Sequence, residues 1–308
     1  MSCNFCEINF CGGLVQFSTV EAVLELYYNH GMLLRSRNCD ICGQICVKYR
    51  KSFRCQKSRL IPIRGGREYS QVKCNFSKSI YDKTWMARSH LSELENFRFL
   101  MIWLQIPPPR EDFMINNVTC CKQTFVDWSQ FCREVCMYIC HSNFAPLGGE
   151  GVIVEIDEAH FGKRKYNSGR IVKGKWVFGG IERGTGNSFM VSVPDRSSAT
   201  LLGIIQNRIL PGTTIISDCW RAYDCLASQG YQHLRVNHSI NFVDPATGAH
   251  TQNIERHWRD VRDNIPRYGR REEHMEGYLA EHYFKKKYSI SSRMHHFMKY
   301  ISELYNPN

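Results

Sequence analysis

Between Gly151 and Glu158 the chain reads Gly-Val-Ile-Val-Glu-Ile-Asp-Glu. Val152, Ile153, Val154 and Ile156 are β-branched and so uniformly apolar that the run suits a central strand buried on both faces. It stops at paired acids, Asp157 and Glu158. A carboxylate at the C-terminal tip of such a strand lies at the sheet rim, where open α/β sheets bind ligands. For one Asp taken alone, an acid that merely closes a strand and opens a turn is the simpler reading. That reading weakens because a second strand, Thr213-Thr-Ile-Ile216, leads into Ser217-Asp218, and a helix from about Thr251 to Asn264 carries a third acid, Glu255.

The order of elements around these acids constrains the fold. After the first strand, Lys175-Trp-Val-Phe178 reads as a second strand, Gly184-Thr-Gly186-Asn187 as a hairpin turn, and Ser188 to Val193 as a third strand. Ser197 to Leu210 has helical periodicity and stops before Pro211-Gly212. The strand ending in Asp218 follows, then an expected helix from Cys219 to Gln229, a fifth strand from Tyr231 to Val236, and the helix carrying Glu255. Strand, hairpin, strand, helix, strand, helix, strand, helix is the order of an α/β, ribonuclease H-like fold. There the first and fourth strands are neighbours, so the tips bearing Asp157 and Asp218 are expected side by side.

The first half of the chain is built differently. Residues 18–34 carry a helical apolar pattern with Ser18 or Thr19 as N-cap. Cys39-x2-Cys42 is followed by Cys55 and Cys74. Two ligands on one tight turn and two from a later segment suit tetrahedral zinc in a zinc-ribbon layout, although Cys55 lacks a partner two or three residues on. Scattered buried cysteines are the alternative. Helical patterns run from Trp85 to Leu104 and from Thr119 to Ile139. They fit either a helix-turn-helix DNA reader or an ordinary helical subdomain. Pro146-Leu-Gly-Gly149 is the clearest linker.

The chain of 308 residues carries 40 Lys and Arg against 29 Asp and Glu, a net charge of +11. That balance favours a polyanionic partner, and nucleic acid is the commonest. The N-terminus lacks the pattern of a signal peptide, and the apolar stretch Phe97 to Ile106 is too short to span a bilayer. Fifteen cysteines then read as reduced thiols, some of them metal ligands, rather than as disulfides. Adjacent carboxylates call for a cation to relieve their repulsion, and hard divalent ions such as Mg²⁺ or Mn²⁺ suit oxygen ligands. A pair of such ions can activate an attacking hydroxyl and stabilise the leaving oxygen of a phosphodiester. Lys163, Arg164, Lys165, Arg221, Arg256, Arg259 and Arg262 are candidates for holding nucleic-acid phosphates.

On the helix, Ile254, Trp258, Val261 and Ile265 fall on one apolar stripe. Asn253 and Glu255 flank it on opposite sides, so only one of them can serve as third ligand. Glu255 is favoured because it shares its flank with Arg259 and Arg262 and offsets more cationic charge than a neutral amide.

The segments VIVEIDEAHFGKRKYNSGRIVKGKWVFGGIER, TTIISDCWRAY and VNHSINFVDPATGAHTQNIERHWRDVR together resemble transposases of the Merlin superfamily and their bacterial insertion-sequence relatives. The resemblance is dense over roughly residues 150 to 283 and weaker through the cysteines and Thr84–Ser92. It implies a DDE-type cut-and-paste transposase whose triad is Asp157, Asp218 and Glu255, acting on double-stranded DNA as a dimer or higher oligomer. Some bacterial relatives place a Lys where this chain has Arg262, which keeps the charge and loses a compact amine. Alternatives are a DNA-binding protein recruited from a transposase by its host, and a ribonuclease H-like nuclease acting on RNA. The expected division is 1–80 for an N-terminal helix and zinc ribbon, 81–145 for a helix-turn-helix-like DNA-binding region, 150–285 for the catalytic core and 286–308 for a basic helical tail. With such a substrate, the expected place of action is the nucleus in a eukaryote and the cytoplasm otherwise.

Overall fold

The computed structural model of the chain describes residues 8–62, 69–108, 110–162, 174–266 and 272–307. They fall into two compact units, Met1–Tyr138 with Tyr288–Asn308, and Ile139–Lys287. This partition differs from the sequence-based one. The boundary falls inside a helix rather than at the Pro146–Gly149 linker, and the C-terminal tail joins the first unit.

In the first unit, the helix Val20–Asn29 begins where Thr19 Oγ1 accepts the N–H of Ala22 at 3.2 Å. The cysteines lie on and beside a sheet of four short strands, Ser36–Asn38, Ile45–Tyr49, Ser52–Arg54 and Ser77–Ser79, paired in that order. A separate two-stranded ribbon pairs Ser58–Pro62 with Tyr69–Lys73. The helix expected from Trp85 starts eight residues later, at Glu93, because Ser92 and Glu95 form a capping box that fixes its first turn. Nine of the thirteen residues of Glu93–Gln105 are buried, which makes it the central helix of this unit. Phe297 of the C-terminal helix Arg293–Leu304 packs at 5.8 Å from the ring of Trp103 and 6.4 Å from that of Trp85. A short helix that the sequence pattern does not announce, Glu111–Val118, is joined to Lys122–Ser142 by three residues, the first of them Thr119 in the left-handed region.

In the second unit the strands of the main sheet are β1 (Ile153–Phe161), β2 (Lys175–Glu182), β3 (Ser188–Val193), β4 (Thr214–Asp218) and β5 (Gln232–Val236), beside a two-stranded pair of Leu147–Gly148 with Ile209–Leu210. Their order in the sheet is β3-β2-β1-β4-β5, with β1 antiparallel to β2 and parallel to β4. This is the ribonuclease H-like arrangement that the element order implied. Helices α1 (Ser198–Arg208), α2 (Gln252–Asn264) and α3 (Met275–Lys287) complete the unit. Two details depart from the sequence reading. First, β1 does not end at its acids but continues to Phe161, because β2 keeps pairing with it up to Phe161 opposite Lys175. Second, the expected helix over Cys219 to Gln229 is two short 3-10 turns, Arg221–Tyr223 and Leu226–Gln229. Apolar residues three apart (Tyr223, Leu226) fit the three-residue repeat of a 3-10 turn as well as they fit an α-helix.

The sheet separates two apolar layers. Val154, Ile156 and Ile215 pack with Leu201 and Ile205 of α1, whereas Ala159 and Phe161 pack with Ile254, Trp258 and Val261 of α2. The stripe expected on α2 is therefore the face it buries. No helix among the described residues is long and apolar enough to cross a membrane.

Candidate active site

Alternation along the strands decides which acids meet. Asp157 shares parity with Ala159 and Phe161, so it faces the α2 side of the sheet. The parallel pairing of β4 with β1 reaches Ile216 opposite Glu155. Two residues further, Asp218 comes level with Asp157 and faces the same side, where Ile216 packs with Ala249 ahead of α2. Glu158, one residue out of phase, faces the other layer, and its carboxylate accepts a hydrogen bond from the Tyr223 hydroxyl. Asp157 thus sits not at the end of its own strand but level with the end of its parallel partner β4, whose last residue is Asp218.

The third acid comes from α2, whose N-terminus is held by an unforeseen residue. Glu155, two before Asp157, is completely buried. Its Oε2 accepts the backbone N–H groups of Asn253 and Ile254 at 2.9 and 3.1 Å. Its Oε1 accepts from the Asn253 side-chain amide and from Arg183 Nε, both at 2.7 Å. A carboxylate at the first turn of a helix satisfies two orphan N–H groups and complements the helix dipole. Arg183 in turn donates to the His250 carbonyl at 2.8 Å. Asn253 is thereby committed to Glu155, while Glu255, 48% exposed, lies on the opposite flank and lines a cleft of about 660 Å³ together with Asp157, Glu158, Trp258, Arg259 and Arg262. Glu255 accepts from Thr251 Oγ1 at 3.1 Å, and His238 Nε2 stands 3.6 Å away.

Trp258 fixes the second shared edge of the site. Its indole N–H donates to Asp157 Oδ2 at 3.1 Å. The ring lies so close to β2 that a Cβ on Gly179, the residue paired with Asp157, would come within 2.6 Å of it. Burial, aided by Glu158 and Asp218, raises the Asp157 carboxyl from 3.8 to about 7. Burial also raises Glu158, against the lowering effect of its Tyr223 hydrogen bond. Carboxyls kept so reluctant to ionise favour a cation among them, and carboxylate oxygens suit a hard divalent one.

The basic residues divide. Arg259 and Arg262 line the cleft. Arg221 is exposed on the 3-10 turn after β4. Arg256 is also exposed but stands close enough to Lys286 to oppose its protonation, away from the cleft-lining residues. Lys163, Arg164 and Lys165 lie outside the described residues. A cation that sequence reading missed is Arg196, whose guanidinium lies 4.0 Å from the Trp176 ring and 4.5 Å from the Trp220 ring and lowers the pKa of Glu158.

In the first unit, Cys39, Cys42, Cys55 and Cys74 have their sulfurs within 4.8 Å of one another. The Cys39–Cys74 and Cys42–Cys55 sulfurs are 3.4 and 3.5 Å apart. A tetrahedral zinc with Zn–S bonds of about 2.3 Å needs sulfurs roughly 3.8 Å apart, so the set fits. Between Cys55 and Cys74, Ser58–Pro62 and Tyr69–Lys73 pair as the two-stranded ribbon, and the Cys74 N–H donates to the Lys57 carbonyl at its foot at 2.8 Å. That is how two cysteines without diagnostic spacing come together. Among the described residues no other set of three or more His, Cys, Asp or Glu is gathered so tightly. The three acids are more widely spread, as mutual repulsion favours, and a pair of divalent ions needs about 4 Å between them.

Residues 146–287 match the model of the ISXO2-like transposase domain family. An uncharacterized transposase-like protein of Haemophilus influenzae is 33% identical over 94 residues, which make up 30% of this chain and 75% of that protein. Among solved structures, the chain is similar to the catalytic core domain of BIV integrase at 16% identity, covering 44% of this chain and 85% of the other, with a TM-score of 0.31. It is also similar to a chain of the simian T-cell lymphotropic virus intasome in complex with PP2A regulatory subunit B56 gamma, at 14% identity and a TM-score of 0.29. That match covers 46% of this chain and half of the other.

Proposed function

This chain belongs to the insertion-sequence-related DDE transposases, and from that premise we propose that Asp157, Asp218 and Glu255 cut DNA at the ends of a mobile element and join them to target DNA. The observation that carries the reading is that two strand carboxylates and one helix carboxylate share one side of the sheet, Asp218 brought level with Asp157 by the pairing of β4 with β1, and α2 held to β1 by Glu155 and Trp258. Asp157, Asp218 and Glu255 would hold Mg²⁺ or Mn²⁺, which supplies activation of the attacking hydroxyl and neutralisation of charge on the phosphodiester. Trp258 orients Asp157, and the capped first turn of α2 orients Glu255. Arg259 and Arg262, one and two turns beyond Glu255, hold the DNA phosphates beside the carboxylates.

The N-terminal unit supplies DNA recognition in this proposal. Cys39, Cys42, Cys55 and Cys74 hold a structural zinc, and Glu111–Val118 with Lys122–Ser142 form the helix-turn-helix, in place of the pair expected from the sequence. The buried Glu93–Gln105 would serve as the supporting helix. Acting on two element ends requires a dimer or higher oligomer on DNA. The test is incubation of the purified chain with Mg²⁺ or Mn²⁺ and duplexes bearing the terminal sequences of its own element. Specific nicks at the ends, absent for Asp218→Asn, are the expected outcome. Cleavage of RNA and not DNA, or end binding without any nicking, would replace the proposal.

A further inference from the structure

Resting on the transposase reading, we propose that the ribbon Ser58–Pro62/Tyr69–Lys73 is a DNA-gripping arm inserted into a zinc knuckle. The first knuckle is Cys39-Asp40-Ile41-Cys42. Removing residues 58–73 would leave Cys55-Gln56-Lys57-Cys74, which has the same two-residue spacing. The second knuckle is therefore an ordinary one, opened at Lys57 to emit a hairpin and closed again by the hydrogen bond from Cys74 N–H to Lys57 O. Cys55 N–H still reaches the Phe76 carbonyl at 3.1 Å beneath it, so the knuckle does not depend on the arm.

The arm has no core of its own. All five residues of Tyr69–Lys73 are exposed, on both faces of the strand, and Leu60 and Tyr69 are 67% and 61% exposed. Apart from each other, the two strands touch no other element among the described residues more than marginally. A lone two-stranded hairpin is marginally stable in water, so a partner is needed to order it. Charge identifies that partner. Between Arg35 and Lys83 there are thirteen Lys or Arg and three Asp or Glu, a net +10 out of the +11 of the whole chain. The described strands and feet of the arm carry Lys57, Arg59 and Lys73 and no acid. A two-stranded β-ribbon fits the DNA major groove, and the exposed Lys57 and Lys73 at its feet can reach the flanking phosphates.

The experiment compares the full chain with a variant lacking residues 58–73 and with Lys57→Ser/Lys73→Ser, which keeps the arm. The probes are a fluorescein-labelled duplex carrying the element's terminal sequence and a scrambled duplex of equal length, titrated over a range of salt. Zinc is measured in each protein. Both variants should keep about one zinc per chain. The deletion should weaken duplex binding at least ~10-fold, and its plot of log affinity against log salt should be shallower by about 0.9 for each phosphate that the arm no longer neutralises. Should the deletion lose its zinc, the double substitution decides alone, with an expected slope change of about two units. Unchanged affinity and slope in a zinc-bearing variant would overturn the arm while leaving the transposase reading intact. An unchanged slope with a shift to smaller species on sedimentation would assign the ribbon to a second copy of the chain instead, which also overturns it. Failure of the unaltered chain to bind either duplex would overturn the arm and the transposase reading together.

Discussion

Glu155 and Asn253, 98 residues apart, are bonded twice: the buried carboxylate accepts both the backbone N–H and the side-chain amide of the asparagine, at 2.9 and 2.7 Å. The same carboxylate takes Ile254 N–H and Arg183 Nε, so the strand bearing Asp157 and the helix bearing Glu255 are held through one side chain. Glu155→Gln would turn an amide donor toward groups that are all donors. It should cost roughly 3 kcal/mol in urea unfolding, the range for breaking a buried charged pair. It should also reduce end cleavage. A loss under about 1 kcal/mol would mean that the linkage is not what fixes α2.

Gly179 is a position where no side chain fits, because Trp258 occupies the space and delivers its N–H to Asp157. Gly179→Ala should destabilise by about 1–3 kcal/mol through overpacking. Adding Trp258→Phe removes the ring atoms that clash and should recover most of that loss, giving a coupling above about 0.5 kcal/mol between the two sites. Independent, additive effects in thermal or urea unfolding would contradict the packing described.

The four-cysteine site gives a metal-dependent prediction. The purified, reduced chain should contain about one zinc, and chelation should unfold the first unit, since apo zinc modules of this size lose their fold. Cys55→Ser should mimic the chelator. Folded, reduced protein free of zinc by elemental analysis would rule the site out.

The sequence made some of this legible and hid the rest for physical reasons. Strands β1 and β4 could be read because both are buried and continuous in β-branched residues, and the apolar stripe of α2 because its 3.6-residue period is clean. Parity along those strands then brings Asp157 and Asp218 to one face. Glu155 stayed hidden because a single acid in an apolar strand carries no sign of partners 28 and 98 residues away. The pairing of Cys55 with Cys74 was obscured by the inserted arm, which breaks the spacing that marks a knuckle. Glu111–Val118 escaped because it is short and lacks a side-chain cap.

His282 sets a pH dependence. It is buried on α3 with its Nε2 unpartnered among the described residues, and burial lowers its pKa from 6.5 to about 4, with Lys286 next in effect; of its neighbours, Lys285 lowers it further and Glu281 opposes. His257, 5.4 Å away ring to ring, faces it and is lowered as well. A depressed folded pKa means that the unfolded state binds the proton first. The stability contribution is therefore present above about pH 6.5 and lost as pH falls toward 4. His282→Phe should flatten the dependence of unfolding free energy on pH between 4.5 and 6 by up to about 1.4 kcal/mol per unit. An unchanged slope would place the titrating group elsewhere.

Glu255, and not Asn253, is the residue we propose to complete the acid triad with Asp157 and Asp218. Single-turnover nicking of the element's end in Mg²⁺, measured beside unfolding and DNA binding, separates the two. Glu255→Gln should keep stability within about 0.5 kcal/mol, because the side chain is half exposed, and retain duplex binding while nicking falls by at least ~10³-fold. Asn253→Ala should lose about 1–2 kcal/mol of stability with its bond to Glu155 and keep most of its nicking under conditions where it remains folded. The opposite order, with Glu255→Gln still nicking and folded Asn253→Ala inert, would contradict the account.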